Sequence, residues 1–254
     1  MIHFGPAGLE IEATGFLILF ARVGAVLMLL PVFSEDAVPG RIRLMIALAL
    51  SLALYGLIGT ATRAAAADTA ALPITLVAEL LTGLAMGMIV KIMFYGISIA
   101  GSMISLNTGL SSAVMFDPSQ GSQVPLLSKF VTMAAALVCM GLHVHHLWLA
   151  AIINSYHSFP IGGLPPAGDF LQCAIQTITR AMMLGLGLSA PLFVYAVVYN
   201  VALGLSARVA PAIQVFFIAQ PLNLMLGIGL AVATLGAVLM GFAQSMGDWM
   251  GHWG

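Results

Sequence analysis

Charged side chains are scarce in this sequence, and that scarcity limits what the protein can be. Only 7% of the 254 residues are charged and 61% are hydrophobic, whereas a soluble domain carries about 25% charged residues. The 8 lysines and arginines are balanced by 9 aspartates and glutamates, which leaves no basic surface for nucleic acid. With a mean hydropathy of +1.08, the chain needs lipid or apolar partners around it.

The sequence also has few side chains in the arrangements that catalysis or metal binding requires. Cys139 and Cys173 lie in apolar stretches without metal or redox spacing, so both are expected to be small core residues. The histidines of GLHVHHLW (141–148) lack further ligands at a suitable spacing. The Gly-x-Ser triplets at 109–111 and 204–206 lack the second glycine of a nucleophile elbow. We therefore expect no enzyme activity, no metal and no cofactor.

Long apolar runs dominate the chain instead. A helix needs about 20 apolar residues to cross the hydrocarbon core of a membrane. Six segments, several of them broken, approach or exceed this length: 13–33, 44–60, 72–100, 130–153, 181–199 and 222–242. The sequence predicts an all-α, polytopic membrane-type fold of helical hairpins with broken helices.

A polar stretch, NTGLSSAVMFDPSQGSQVP (107–125), interrupts the apolar sequence. Asp117-Pro118 is a turn signal, and non-helical backbone at membrane depth is tolerated only inside protein or beside water. One interpretation is an ordinary exposed loop. The other is a re-entrant central loop whose bulky apolar side chains close a passage by excluding water. The candidate gate residues are Gly109, Leu110, Ser111, Ser112, Ala113, Val114, Met115, Phe116, Asp117 and Pro118.

Charges also occur inside or at the edges of the apolar runs, at Arg22, Glu79, Lys91, Arg180 and Arg208. A lone charge at mid-bilayer costs about 2.5–3.5 kcal/mol on insertion scales. These side chains must therefore pair, reach the interface, or face protein and water. We expect Arg22 and Glu79 to be interior, whereas Arg180 begins its run and can extend to the interface.

A second polar break, NVALGLSARVAPAIQVFFIAQP (200–221), lies between the last two apolar runs. Asn200, Gly204 and Arg208 are spaced four apart and share one helical face. Pro211 is expected to disrupt the helix, with a short piece running on to Pro221. This pattern favours a hairpin bent inside a protein complex. The candidate residues for buried charge or assembly are Arg22, Glu79, Lys91, Asn200, Arg208, Pro211 and Gln214.

Small residues recur at helical spacing and predict close helix contacts. One stripe consists of Gly229, Ala233, Ala237 and Gly241, and a shorter pair consists of Gly83 and Gly87. A hydroxylic stripe consists of Ser98, Gly101, Ser102, Ser105, Thr108 and Ser112. Each stripe favours packing within the chain. Contact with other subunits, and for the hydroxylic stripe a wet passage, stay open as alternatives.

Four stretches together resemble the FliR family of flagellar export-gate proteins. The first is RVGAVLMLLPVFSEDAVPGRIRLMIALALSLAL (22–54), and the second is GLSSAVMFDPSQG (109–121). The others are HHLWLAAIINSYHSFPIGG (145–163) and NVALGLSARVAPAIQVFFIAQPLNLMLGIGL (200–230). The resemblance covers nearly the whole chain in the right order, and it favours the flagellar branch over the injectisome homologues.

The resemblance implies a single export-gate domain over 1–254 with a non-enzymatic role. It implies a subunit of a type III secretion channel at the flagellar basal body, in the bacterial inner membrane. The implied partners are FliP-like and FliQ-like subunits, an FlhB-like subunit and unfolded flagellar proteins in transit. Much apolar surface would face sister subunits, and the loop matching 107–123 would plug the pore.

A small secondary transporter is the alternative, since transporters also have broken helices and intramembrane charges. Matching breaks in the two sequence halves would favour it. The breaks at 107–125 and 200–221 differ in composition.

Overall fold

The computed structural model describes residues 6–31, 33, 38–109, 126–164, 166–209 and 215–251, and these consist of helices joined by short turns. The helices are α1 (Pro6–Leu29), α2 (Gly40–Ala66), α3 (Leu72–Asn107), α4 (Leu126–Gly141), α5 (Val144–Ser158), α6 (Ala167–Val209) and α7 (Val215–Gly251). No strand occurs in these ranges. The prediction of an all-α fold is confirmed.

Among the described residues, five helices are long and apolar enough to cross a membrane, namely α1, α2, α3, α6 and α7. The helices α4 and α5 reach this length only as a pair, and the pair is bent by 77°. About six apolar segments with breaks were expected, and the structure agrees. The predicted re-entrant loop falls mostly on residues 110–125, outside the described ranges, and stays a prediction.

The bend between α4 and α5 was not anticipated, because the apolar sequence of 130–153 continues through it. The helix α4 ends at Gly141, and His143 takes a left-handed conformation with φ 61°. The N–H of Leu142 donates to Val138 (2.9 Å) and that of His143 to Met140 (3.2 Å). A left-handed residue after the last turn is a common helix stop. The apolar segment is present, but hydropathy does not report backbone φ, so the sequence did not locate the bend.

Pro221 does not end a short helical piece, contrary to the sequence-based expectation. It lies inside α7, which runs on to Gly251. Proline removes one backbone N–H and strains the preceding turn. The hydroxyl of Tyr199 donates to the carbonyl of Ala219, and that of Tyr195 donates to the carbonyl of Asn223. These bonds from α6 hold the helix on either side of the proline.

The chain folds into two compact units. The first is built from the described residues of Met1–Ile92, His145–Thr177 and Met250–Gly254. The second is built from those of Met93–Val144 and Ile178–Trp249. The prediction of a single domain over 1–254 stays a prediction.

Close contact between α1 and α3 forms the core of the first unit. A Cβ atom at Gly83 would lie 2.5 Å from the carbonyl oxygen of Arg22, and one at Gly87 would lie 2.8 Å from the Cβ of Leu29. Only glycine permits such an approach of two helix backbones. The expected packing role of this glycine pair is confirmed.

The hydroxylic stripe of α3 packs against other helices of the second unit. A Cβ atom at Gly101 would lie 2.7 Å from the Cα of Ser128 on α4. The hydroxyl of Ser128 also donates to the carbonyl of Ser98 at 2.8 Å. Ser105 and Thr108 are buried. The described part of the stripe is therefore a packing surface, and Ser112 lies outside the described residues.

Candidate functional site

Arg22 of α1 and Glu79 of α3 form an ion pair in the interior of the first unit. Arg22 Nε donates to Glu79 Oε2 at 2.7 Å, and Nη2 donates to Oε1 at 2.8 Å. Both side chains have 0% exposure. Two parallel hydrogen bonds between a guanidinium and a carboxylate make the strong form of this interaction.

Helix α5 and the turn that follows it complete the surroundings of Arg22. Its Nη1 donates to Ser155 Oγ at 3.2 Å, and its Nη2 donates to the carbonyl of Phe159 at 3.1 Å. The guanidinium carbon lies 4.0 Å from the ring centroid of Tyr156, as in a cation–π contact. Arg22 thus makes four donor contacts with its five N–H groups.

Gly162 attaches the same turn to the other half of the pair. Its N–H donates to Glu79 Oε1 at 3.1 Å. Gly162 has φ +77°, and a Cβ atom there would lie 3.3 Å from Thr75 Oγ1. A side chain would be strained in this left-handed conformation, so glycine is the suitable residue.

The surroundings of the pair are those of a structural ion pair. Both ionic groups are fully buried, and they form hydrogen bonds with each other and with Ser155, Phe159 and Gly162. Removing one partner of a buried ion pair costs about 3–5 kcal/mol, because the other charge is left uncompensated. Arg22 and Glu79 therefore tie α1, α3, α5 and the turn after α5 together.

The other candidates for buried charge have different positions. Asn200 and Arg208 are exposed on α6, on the face that they share with exposed Gly204. No described segment covers that end of α6, so both are exposed within this chain, and their predicted burial in an assembly stays a prediction. Lys91 is half-buried on α3. Pro211 and Gln214 lie outside the described residues.

Only the first of the candidate gate residues, Gly109, lies within the described ranges; those from Leu110 to Pro118 lie outside them. Gly109 has φ +79°, and its N–H donates to the carbonyl of Leu106 at 3.2 Å. This left-handed glycine follows the last turn of α3, as glycine commonly does at helix ends.

The two polar breaks of the sequence meet at Gly109. A Cβ atom there would lie 3.3 Å from Asn223 Nδ2 and 3.5 Å from Gln220 Nε2, both on α7. Asn223 is held in turn by Tyr195 of α6, whose hydroxyl donates to Asn223 Oδ1 at 3.0 Å. Sequence reasoning missed this contact, since nothing local to either break indicates the other.

Sequence reasoning also missed a second ion pair, between Glu12 and Arg63. Arg63 Nε lies 2.8 Å from Glu12 Oε1, and the hydroxyl of Tyr55 donates to Glu12 Oε2 at 2.7 Å. Arg63 belongs to the last turn of α2. An antiparallel hairpin of α1 and α2 brings the start of α1 next to the end of α2. The predicted hairpin was therefore the feature of the sequence that could have indicated this pair. Both side chains are partly exposed, so the pair contributes little to stability.

The small-residue stripe of α7 faces outward over most of its length. Gly229, Ala233 and Ala237 are exposed. A Cβ atom at Gly229 would meet nothing within 4 Å, whereas one at Gly241 would lie 3.2 Å from the side chain of Leu188. Packing within the chain therefore accounts only for Gly241.

The histidines do not form a metal-binding group with other side chains in the described ranges. No cluster of three or more His, Cys, Asp or Glu residues that could hold a metal ion occurs there. His143 lies in the bend and His146 lies in α5, so they do not share one helix. The expected absence of a metal stays a prediction.

Comparison with known proteins gives one consistent result. The family described as bacterial export proteins, family 1, matches residues 13–249. The chain is 35% identical over 223 residues to the flagellar biosynthetic protein FliR of Caulobacter vibrioides, which covers 88% of this chain and 89% of that protein. It is 32% identical to FliR of Escherichia coli K12, over 84% of this chain and 81% of that protein. It is 29% identical to FliR of Bacillus subtilis 168, over 82% of this chain and 81% of that protein.

Proposed function

We propose that this chain, which belongs to family 1 of the bacterial export proteins and to the FliR family, is a structural and gating subunit of the flagellar type III export channel. Its family supports a role in flagellar protein export, and its long apolar helices make it a membrane-type component. It assembles with FliP-like and FliQ-like subunits, and with an FlhB-like subunit, at the flagellar basal body in the inner membrane. Unfolded flagellar proteins pass through the channel, and the chain itself catalyses no reaction.

The observation that carries this proposal is the exposure of Arg208 on an apolar helix. Arg208 lies in the last turn of α6, a helix with a mean hydropathy of 2.0 in its candidate span. A charge that faces lipid carries a desolvation penalty, which reaches about 2.5–3.5 kcal/mol at mid-bilayer and is smaller near the interface. The side chain therefore meets water or a polar group of another protein. Asn200 and Gly204 extend the same face along the helix, so a partner helix fits better than water alone.

Helix length supports the same assignment. The 43 residues of α6 extend about 64 Å, roughly twice the 30 Å hydrocarbon core. The 37 residues of α7 extend about 55 Å by the same rise per residue. Large apolar side chains remain exposed along both helices. A bilayer cannot cover all of this surface, so sister subunits cover part of it.

The outward stripe of α7 suits such subunits. Gly229, Ala233 and Ala237 leave a shallow surface on which a second helix backbone can approach closely. Lipid tails gain little from small residues in particular, whereas a partner helix gains dispersion contacts over the whole stripe.

Gating is assigned to the segment that begins at Gly109. Its start is fixed, since Gly109 lies beside Gln220 and Asn223 of α7. Val114, Met115 and Phe116 supply apolar bulk that excludes water without fixed bonds. A flexible methionine can yield to a passing polypeptide and then close the gap again. The segment thus closes the export path at rest and opens by displacement.

Purification from native membranes tests the assembly. The tagged chain should bring down the FliP-like and FliQ-like subunits in fixed ratio. Expressed alone, it should aggregate in mild detergent, and co-expression of those subunits should restore a soluble complex. A monodisperse, thermostable monomer that brings down no other export subunit would contradict the proposal.

A further inference from the structure

The turn after α5 binds the Arg22–Glu79 pair through its backbone. The carbonyl of Phe159 accepts a hydrogen bond from Arg22 Nη2 at 3.1 Å. The N–H of Gly162 donates to Glu79 Oε1, also at 3.1 Å. We propose that the ion pair is a docking site for this turn. The cation binds a carbonyl of the turn and the anion binds an N–H, so the pair accepts the turn in one orientation only and fixes the path of the chain between α5 and α6.

The turn is preorganised for this contact. The N–H of Gly163 donates to the carbonyl of Pro160 at 2.9 Å, which closes a four-residue turn. Its third residue, Gly162, has φ +77°, the conformation that a type II turn requires there. The N–H of Phe159 donates to the backbone carbonyl of Ser155 on α5 at 2.8 Å, which ties the turn to the helix before it. Little conformational entropy is lost when a turn already closed in this way docks.

The ion pair also depends on the turn for two of its hydrogen bonds. Both ionic side chains are fully buried, so any hydrogen-bonding group left without a partner carries a desolvation penalty. Without the turn, Arg22 loses the Phe159 acceptor and Glu79 loses the Gly162 donor. The turn therefore completes the pair, and the two form together.

This requirement also explains why arginine occupies position 22. The guanidinium bonds two carboxylate oxygens, one hydroxyl and one carbonyl, in different directions. A lysine ammonium offers three donors from a single point and cannot reproduce that fork.

Because each charge binds a different backbone group of the turn, the two charges should not be interchangeable, whereas those of a plain ion pair are. A plain pair survives exchange of its two charges. Here the exchange would place a carboxylate against the carbonyl of Phe159 and a guanidinium against the N–H of Gly162. The double variant R22E/E79R should therefore restore the charge balance without restoring the docked turn.

The test uses the full chain in the export complex, in membranes, with an epitope tag at each end. Proteinase K, which cleaves after aliphatic residues, can cut between Ile161 and Gly162 when the turn is undocked, and the sizes of the tagged fragments identify the cut. Loss of hydrogen bonds to a charged group should speed this cleavage by about tenfold or more in R22E/E79R. The control is E12R/R63E, which exchanges the partly exposed pair of the α1–α2 hairpin. It should be cleaved at this turn at the parent rate.

A second variant keeps the test decisive if R22E/E79R fails to accumulate. G162A leaves both charges intact but strains the turn and brings a methyl group 3.3 Å from Thr75 Oγ1. It should also be cleaved faster at the turn, whereas G168A should not, because a Cβ atom at Gly168 meets nothing within 4 Å. Parent-like protection of the turn in R22E/E79R, or in G162A, would overturn the proposal.

Discussion

Gly227 of α7 lies directly against Thr108 at the end of α3: a Cβ atom at Gly227 would be 2.9 Å from the Cα of Thr108. The next residue of the chain, Gly109, lies beside Asn223 one helical turn earlier on α7. Thr108 and Gly109, the two residues that lead from α3 into the proposed gate segment, are thus held by one face of one helix. This contact fixes where the segment begins.

The first prediction concerns that contact. G227A should lower the free energy of unfolding by about 1–3 kcal/mol, because an extra methyl group overpacks a tight helix crossing. The measurement is the thermal unfolding midpoint of the purified complex in detergent. G247A is the control on the same helix, since a Cβ atom there meets nothing within 4 Å. Equal midpoints for the two variants would show that the crossing has room to relax.

The second prediction concerns the exposed arginine at the end of α6. R208A should reduce recovery of the export complex by about tenfold or more. The substitution removes the charge that is proposed to contact a polar group of another subunit. Swimming in soft agar should fall with it. R41A is the control, because Arg41 is an exposed arginine in the first turn of α2. Normal recovery and swimming of R208A would exclude Arg208 from the interface.

The third prediction concerns the gate segment. Deletion of residues 112–116 removes its apolar bulk but leaves Gly109 and its neighbours on α7. The complex should therefore still assemble, while the membrane becomes permeable to ions or small molecules. Conductance of membranes containing the complex, or sensitivity of the cells to small toxic molecules, measures the leak. The variant S119A/Q120A, in the same stretch, should stay tight. An assembled deletion complex as tight as the parent would reduce 107–125 to a connecting loop.

The fourth prediction concerns the histidines at the bend. Replacement of His143, His145 and His146 together by glutamine should leave export unchanged, both with and without a chelator. The reason is that no cluster of metal ligands surrounds them in the described ranges. Elemental analysis of the purified complex is the direct measurement. Stoichiometric metal that is present in the parent and absent from the triple variant would contradict this expectation.

Local sequence signals determined much of this protein. Apolar runs near the length of a membrane span predicted the long helices, because hydropathy and helix formation both depend on neighbouring residues. The spacing of Gly83 and Gly87 predicted a close helix contact, which α1 supplies. The motifs quoted from 22–54 to 200–230 indicated the family that matches residues 13–249.

Tertiary structure decided which side chains meet and which remain outside. The pairing of Arg22 with Glu79, the docking of the turn at Gly162 and the meeting of Gly109 with Asn223 each join distant parts of the chain. The exposure of Arg208 is equally non-local, because it depends on which helices cover the end of α6. Helices that are apolar on every side carry no periodic signal that distinguishes a buried face from an exposed one. For such a chain, composition determines that helices form, and only their packing decides which charge finds its partner inside the chain and which one stays exposed.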